Sequence, residues 1–578
     1  MIRSCTMNDY NALYAIWKEK CTQDEDLVRE LAEIAGNEEE ILDRFYQSLA
    51  FGTGGLRGVL GAGTNRLNIY TVGAATQGLA DYLNEDFTSP SVAIGYDSRN
   101  KSALLAERAA CVLAANGIKA YLFKELIPTP IVAWAVRRLS CSSGIVITAS
   151  HNPAKYNGYK CYDPRGYQMT DEAADKTLAY INRIDIFDDV KCVSLADGLA
   201  SGMIEYIEDS LLDEYYAAVA ARQINPGICK DSGLKLIYAP LHGSGNKPVR
   251  RIFKDIGLDD VTVVASQELP DGNFPTCPYP NPEIKQAFEE ALKLTETVKA
   301  DILLATDPDC DRVGIAVLDN GEYQLLTGNE VGCLLIEYIL SCKKAKGTLA
   351  EKPVIVKTIV SSELATVIAK SYGAEMFDLL TGFKYIGELI TQMEADGEAD
   401  RFELGFEESY GYLSGLHTRD KDAVNASMLI AEMAAYYKKQ GKTLVEVLNG
   451  LYAKHGYYLN SLFNYYVEGA DGMQKMNAML DLLRTNTPAT VGGKTVTNVT
   501  DYKACTDKDI ATGEVRKTTL PVSNVIALSI GTDKLIVRPS GTEPKLKIYA
   551  SVSAADAQTA KMSTEQYRTD LEALLGLA

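Results

Sequence analysis

The chain has 578 residues, 46% hydrophobic and 23% charged, with 77 acidic and 58 basic side chains and a formal net charge of −19. At about 150 residues per domain this predicts roughly three or four domains with proper cores. The acidic balance argues against non-specific binding to nucleic acid or anionic membrane, which needs a basic surface, but leaves room for an anionic small substrate in a locally basic cleft.

No apolar run approaches the roughly 18 residues of a membrane span. The N-terminus carries only the short apolar run 12–17, so no signal peptide is expected. The 12 cysteines lie far apart with no Cys-x-x-Cys pair, and read as reduced thiols of a cytoplasmic protein.

Taken in chain order, residues 1–50 show apolar residues three and four apart and predict two helices that wrap a neighbouring core. From residue 91 a unit recurs: a β-branched run, a loop dense in Gly, Asp, Ser or His, then a helical pattern. Val92-Ala93-Ile94 leads into Gly95–Arg99, Gly144–Ile147 into Thr148–Pro153, Leu234–Tyr238 into Pro240–Gly245, and Ile302–Ala305 into Asp307–Arg312. Alternating strands and helices imply parallel α/β sheets, which bind ligands at the carboxyl ends of their strands. Val313–Leu318 and Tyr323–Leu326 around Asp319-Asn320-Gly321 read as a hairpin. A third α/β stretch is expected from about 353 to 448. Beyond 460 the texture turns to Thr, Val and Asn, with strands at 524–538 and 545–551 and a helix near 554–576, a separate α+β domain. The expected division is 1–50 as a helical extension of a first domain at 51–203, then domains at 204–320, 321–460 and 461–578.

Several of these loops could carry chemistry. Ser150, at the end of a buried strand and beside His151, could be a nucleophile or phosphate carrier; the plainer alternative is a turn or N-cap serine with Pro153 opening a helix. No Gly-x-Ser-x-Gly elbow is present, against an ordinary serine hydrolase. Asp307, Asp309 and Asp311 set three like charges at alternate positions after a strand, and a bound dication is the common remedy. An EF-hand fails, because its sixth position is Arg312 and its twelfth Leu318. A solvated acidic turn and an aspartate nucleophile of the haloacid-dehalogenase kind are the competing readings; the latter leaves Ser150 and Arg312 without a role, and a Mg²⁺ site is favoured.

Arg538–Lys545 sets small hydroxyl residues around Gly541, so that backbone N–H groups can point at one anion with charge from Arg538 and Lys547, unless it is an ordinary turn; P-loop spacing is absent. Gly405–Tyr412 offers carboxylates, a hydroxyl and aromatics suited to sugar hydroxyls, or is simply an acidic loop. Arg57 is an isolated cation in a Gly-rich stretch, equally readable as a surface arginine. The histidines 151, 242, 417 and 455 lack zinc-site spacing.

The order of these loops resembles the α-D-phosphohexomutase family. Thr148–Pro153 resembles its phosphoserine loop, Asp307–Arg312 its metal loop, Gly405–Gly411 its sugar-recognition loop and Arg538–Thr542 its phosphate-binding loop. The resemblance covers about residue 45 to the C-terminus. Asp43–Tyr46 before Phe51–Gly55 is similar to the long phosphoglucomutase branch, and Tyr410 is a minor variation on the usual Phe or Gly.

The resemblance implies three similar α/β domains and a smaller C-terminal α+β domain around a cleft, with Mg²⁺ on Asp307, Asp309, Asp311 and a phosphoserine oxygen of Ser150. It implies Arg57 and Arg312 at the transferring phosphoryl group, and His151 and Lys160 as proton-transfer candidates, Lys160 slightly ahead. Arg538, Ser540, Gly541, Thr542 and Lys547 would grip the other phosphate, with Arg419 and Lys421 helping. Glu407 and Ser409 would bind sugar hydroxyls, and Thr381, Gly382 and Lys384 form a further substrate loop.

The expected activity is phosphoglucomutase, with some action on mannose phosphates, glucose 1,6-bisphosphate as activator and intermediate, and small-molecule sugar phosphates as the partners of a monomer or small homo-oligomer. A phosphopentomutase or glucose-1,6-bisphosphate synthase on the same scaffold is the nearest rival. An aspartate-nucleophile phosphatase is a different class, and a non-catalytic sugar-phosphate binder would leave Ser150 and three aspartates without a purpose.

Overall fold

A computed structural model describes residues 9–52, 54–467, 472–539 and 545–577. The chain divides into two compact units, 1–326 with 386–402 and 410–441, and 327–385 with 403–409 and 442–578.

The first unit opens with three helices where two were expected: Asp9–Lys20, Glu25–Glu33 and Glu38–Phe45. The extra break falls at Gly36, left-handed at φ 81°, followed by Asn37, whose side chain caps the third helix by accepting from Glu40 N–H. Trp17 carries these helices onto the neighbouring sheet. It is buried and meets the rings of Phe45, Tyr70 and Phe187 edge-on at 5.9, 5.5 and 5.2 Å, a large apolar payload plus about 0.5–1.5 kcal/mol per aromatic pair.

Two mixed sheets follow. The first runs Gly55–Val59, Tyr156–Tyr162, Ser143–Ile147, Ser91–Tyr96, Lys119–Leu122, Ile204–Tyr206. The last four are parallel, whereas Tyr156–Tyr162 is antiparallel to both neighbours. The second runs Glu322–Leu326, Val313–Asp319, Ile302–Thr306, Leu236–Ala239, Val261–Val263, again with one strand, Val313–Asp319, antiparallel to both neighbours. The expected hairpin at 313–326 is present, and the antiparallel strands add to the expected parallel pairing. The loops at Ser150 and Asp307 each join a parallel strand to an antiparallel one, and no helix starts at Pro153. The central strands Ser143–Ile147 and Ile302–Thr306 are buried at every position, as strands covered on both faces must be.

In the second unit Val354–Thr358 pairs in parallel with Glu375–Leu379 and is flanked on its other side by Phe402–Glu407. Helix Gly328–Lys346 is closed by a Thr327/Glu330 capping box and a left-handed Gly347. The C-terminal domain is a seven-stranded antiparallel sheet in the order Tyr457–Tyr466, Lys545–Ala554, Asp533–Pro539, Ile526–Ile530, Asn498–Asp501, Thr506–Asp509, Val515–Lys517. Helices Gly472–Thr485 and Ala557–Leu575 bring Met476, Leu480, Leu483, Tyr567 and Leu571 to its core, each apolar side chain contributing about 1.5–3 kcal/mol on burial. The fold is thus three α/β domains and a C-terminal sheet domain. Among the described residues no helix is long and apolar enough to cross a membrane.

Candidate functional site

The first unit brings the loop of Ser150 and the loop of Asp307 into contact. Ser150 is buried in left-handed backbone at φ 52°, and its Oγ donates to Asp307 Oδ2 at 2.9 Å while lying 3.1 Å from His151 Nδ1. The loop is held from behind by residues that sequence reasoning left without a role. Arg99 donates to the carbonyls of Ser150 and Asn152 at 2.5 Å each, and to those of Pro153 and Tyr156 at 3.1 and 3.0 Å. Asp97 balances Arg99 at 3.3 Å and accepts from Thr148 Oγ1 at 2.6 Å and Ser102 Oγ at 2.9 Å. Asp97 and Arg99 stand in a loop whose position after a strand was noted. The signal for their role is the Asp-x-Arg pattern itself, but its direction toward the neighbouring loop is a tertiary fact. Gly158 lets the next strand pass under the loop, since a Cβ there would lie 2.3 Å from the Thr148 carbonyl oxygen.

Asp307, Asp309 and Asp311 gather into one buried group, a ligand oxygen from each lying within 4.8 Å of the others. Asp307 Oδ1 accepts the backbone N–H groups of Asp311 and Arg312 at 3.1 and 3.0 Å. Asp309 Oδ2 accepts from Lys160 Nζ at 2.8 Å and Thr129 Oγ1 at 3.0 Å, and Asp311 Oδ2 lies 3.2 Å from Lys421 Nζ. Asp309 Oδ1 and Asp311 Oδ1 are buried without a hydrogen-bond partner. Two desolvated carboxylate oxygens left in this state are costly. Hard oxygens converging in one place fit a divalent cation such as Mg²⁺, so the acidic triad can hold a metal. The loop Pro240–Gly245 buttresses it: Ser244 donates through both N–H and Oγ to the Pro308 carbonyl at 2.8 Å, and a Cβ on Gly243 would lie 2.6 Å from Pro308 Cα.

The electrostatics follow from crowding. Burial, reinforced by Asp309 and Asp311, pushes the Asp307 carboxyl well above its ordinary range. Burial works the same way on Asp309 but is outweighed, chiefly by Lys160, so that Asp309 is held low and ionised. Burial opposes the Lys160 charge, yet Asp309 and Asp311 keep its ammonium above the usual value. Desolvation, then the charges of Arg312 and Arg57, press the His151 ring well below its normal pKa and leave it neutral. Desolvation and Arg312 likewise lower Arg57. Both guanidiniums thus act on the His151 ring, which touches the Ser150 hydroxyl. Arg57 stands on strand Gly55–Val59 opposite Gly158, and Arg312 pairs with Glu283 at 2.5 Å.

Arg419 belongs elsewhere. Its buried guanidinium donates to Thr391 Oγ1, the carbonyls of Leu416 and Thr418, and Glu394 at 3.1, 2.8, 3.0 and 2.6 Å. This corrects the expectation that it helps to grip a phosphate. Lys421, expected beside it, is instead on the aspartate cluster. His242 bridges the Leu269 carbonyl and Thr276 Oγ1 and is structural.

In the second unit the two expected sugar loops meet, Gly382 N–H donating to Glu407 Oε1 at 2.8 Å. Gly382 has φ 121°, a conformation that glycine adopts without strain. Lys384 Nζ lies 5.1 Å from the Tyr385 ring centroid, and Thr381 and Ser409 fall in the same two loops. Arg538 and Lys547 stand directly opposite on neighbouring antiparallel strands. Like charges so placed repel, which an anion between them would relieve. Ser540, Gly541 and Thr542 lie outside the described residues.

The family models described as phosphoglucomutase/phosphomannomutase, alpha/beta/alpha domains I, II and III, match residues 48–186, 213–321 and 327–455. A phosphoglucomutase of Staphylococcus saprophyticus is 34% identical over 539 residues, covering 93% of this chain and 96% of that protein. One from Staphylococcus aureus is 36% identical over 513 residues, covering 88% and 90%. Among solved structures, a phosphoglucomutase/phosphomannomutase family protein of Burkholderia thailandensis aligns with a TM-score of 0.65 at 18% identity, covering 91% of this chain and 97% of that one. The open form of the Paramecium phosphoprotein parafusin, a phosphoglucomutase, aligns at 0.62 and 17% identity, covering 92% and 96%. The three domain models span more than half of the sequence and stand in the order of its three α/β domains, and the chain therefore belongs to the phosphoglucomutase/phosphomannomutase family, the α-D-phosphohexomutases, enzymes of the isomerase class.

Proposed function

We propose that the phosphoglucomutase reaction of this chain, α-D-glucose 1-phosphate to glucose 6-phosphate, runs through a phosphorylated Ser150. The observation that carries the assignment is the Ser150 hydroxyl set 2.9 Å from Asp307, in a triad two of whose buried oxygens, Asp309 Oδ1 and Asp311 Oδ1, lack a hydrogen-bond partner. Phospho-Ser150 gives its phosphoryl group to the free hydroxyl of the sugar monophosphate. The resulting glucose 1,6-bisphosphate turns over and returns its other phosphate to Ser150, which is why the bisphosphate also serves as activator. Asp307, Asp309, Asp311 and a phosphoserine oxygen would hold Mg²⁺, which supplies electrostatic stabilisation of the charge that builds up during transfer.

Arg57 and Arg312 orient the phosphoryl oxygens. Neutral His151, in contact with Oγ, accepts the serine proton when Ser150 attacks; Lys160, held as an ammonium, is a proton donor to the oxygen that leaves. Glu407, Ser409 and the Thr381–Lys384 loop bind sugar hydroxyls, which both donate and accept hydrogen bonds. Arg538 and Lys547, with the loop between them, hold the phosphate that does not react. Lys421 acts at the aspartate cluster, where it balances Asp311.

Free sugar phosphates are the proposed partners. The free thiols of the described cysteines suit a reducing cytoplasm. A coupled assay comparing glucose 1-phosphate, mannose 1-phosphate and ribose 1-phosphate tests the substrate: kcat/KM should be highest for glucose 1-phosphate, and a preference for ribose 1-phosphate would replace this reading with a pentomutase.

A further inference from the structure

The two oxygens of the Asp309 carboxylate have opposite surroundings. Oδ2 accepts from Lys160 Nζ at 2.8 Å and from Thr129 Oγ1 at 3.0 Å, while Oδ1 is buried without a hydrogen-bond partner. Both donors come from the first α/β domain, Lys160 from strand Tyr156–Tyr162 and Thr129 from the start of helix Thr129–Arg138, whereas Asp309 belongs to the second. Thr129 also holds the main chain: its N–H, one of the helix's free N-terminal donors, reaches the Asp309 carbonyl at 2.9 Å. One residue thus grips Asp309 at its carbonyl and at its carboxylate.

We propose that Thr129 is a positioning residue of the metal centre, fixing the orientation of the Asp309 carboxylate so that Oδ1 stays free for a divalent cation. The inference rests on reading the triad as the Mg²⁺ seat.

The surroundings fit this role. The terminal torsion of an aspartate is broad and two-fold, so hydrogen bonds decide where each oxygen sits. Lys160 alone sets it loosely, because an ammonium on a flexible four-carbon stem turns its three donors freely. Threonine is stiff at χ1, and Thr129 stands between Pro128, at φ −55°, and Pro130, whose rings lock the backbone on either side. Its hydroxyl therefore arrives from a fixed direction. Thr129 is fully buried, so water does not take the place of a deleted hydroxyl. The next residue of the loop, Cys310, is left-handed at φ 52° and its carbonyl accepts from Ala423 N–H at 3.3 Å, which holds the main chain on the far side of Asp309. Mg²⁺ demands near-ideal octahedral geometry, so a carboxylate free to turn binds it less well, whereas Ca²⁺ tolerates flexible ligands. Loss of a hydrogen-bonding partner behind a metal ligand typically costs about 10- to 100-fold in metal affinity. Lys160 still holds Oδ2 when Thr129 is changed, which places the expected loss at the lower end.

The test uses the full chain, freed of metal with EDTA and titrated by calorimetry with Mg²⁺ and, separately, with Ca²⁺. Thr129→Val keeps the shape and removes the hydroxyl; it should weaken Mg²⁺ binding about tenfold and Ca²⁺ binding by clearly less. Thr129→Ser returns the hydroxyl and should recover most of the Mg²⁺ affinity. At saturating Mg²⁺ the KM for glucose 1-phosphate should stay within about twofold of wild type in both variants, since Thr129 touches no substrate. Thermal unfolding of the metal-free proteins checks that each variant folds, and Thr129→Ala is titrated in place of the valine variant if that one does not. Mg²⁺ affinity within twofold of wild type without the hydroxyl, equal losses for the two cations, or no recovery in Thr129→Ser would overturn the proposal. So would failure of both the valine and the alanine variant to fold, which would make Thr129 a residue of the fold alone. A wild-type chain that binds no Mg²⁺ would instead remove the triad as the metal seat, and this proposal with it.

Discussion

The Ser150 loop and the Asp307 loop occupy the same place in two sheets of the same design, yet they are stabilised by opposite means. Each follows a fully buried parallel strand, contains a left-handed non-glycine residue (Ser150 and Cys310, both at φ 52°) and returns as an antiparallel strand. The serine loop carries no formal charge of its own until Arg99 ties its carbonyls down from behind, leaving one hydroxyl pointing out. The aspartate loop is all charge, balanced by Lys160, Lys421 and Arg312, and still keeps two buried oxygens without a hydrogen bond. One scaffold thus presents a buried hydroxyl in one domain and a carboxylate cluster able to hold a metal in the next. Function resides in the loops, and the fold only aims them.

The largest blow to this comparison is removal of the hydroxyl. Ser150→Ala should cut mutase turnover by at least about 10⁴-fold, because one oxygen carries the phosphoryl group in every cycle. Thermal unfolding should be nearly unchanged, and near-wild-type turnover would remove the serine loop from the chemistry.

Asp309→Asn strikes the other loop. It should lower kcat by about 10²- to 10³-fold, the scale of one lost electrostatic group, and weaken Mg²⁺ binding measured by calorimetry. Unchanged Mg²⁺ affinity would reduce the triad to a structural cluster.

Arg99→Met removes the brace and not the chemistry. It should destabilise the fold by about 3–5 kcal/mol, since Asp97 is then a buried charge without its partner. It should also lower kcat by up to about 10²-fold as the loop loses its aim. If unfolding and turnover were both unaffected, the loop would be held by something other than Arg99.

Arg538→Ala touches neither loop and calibrates the others. Losing a charge-assisted contact of about 1.5–3 kcal/mol should raise KM roughly 10- to 100-fold and leave kcat comparatively intact. Arg538→Lys should restore only part, because an ammonium cannot reproduce the planar fork. A KM within twofold of wild type would remove Arg538 from phosphate binding.

The two loops were legible in the sequence because a polar, hydroxyl- or carboxylate-rich stretch directly after a β-branched run stands out, and because their order along the chain is distinctive. The antiparallel strand after each loop was not: Tyr156–Tyr162 mixes Tyr, Asn, Gly and Lys and carries little periodic signal, and its pairing is decided by tertiary contact. Arg99 and Arg419 show the same limit from two sides. Both are buried arginines in loops after strands or turns. Only the fold shows that one braces the reactive serine while the other is consumed by Glu394, Thr391 and two carbonyls. The third N-terminal helix escaped notice because Gly36-Asn37 interrupts an otherwise continuous helical spacing.

The central claim is that the phosphoryl group rides on Ser150 and not on a carboxylate of the triad. Incubation with radiolabelled glucose 1,6-bisphosphate, followed by peptide mapping, tests it directly. The account predicts about one phosphate per chain on the Ser150 peptide, stable to hydroxylamine as a phosphate ester is, chased off by glucose 1-phosphate, and absent in Ser150→Ala. A hydroxylamine-labile acyl phosphate on Asp307, or label that survives in Ser150→Ala, would contradict it.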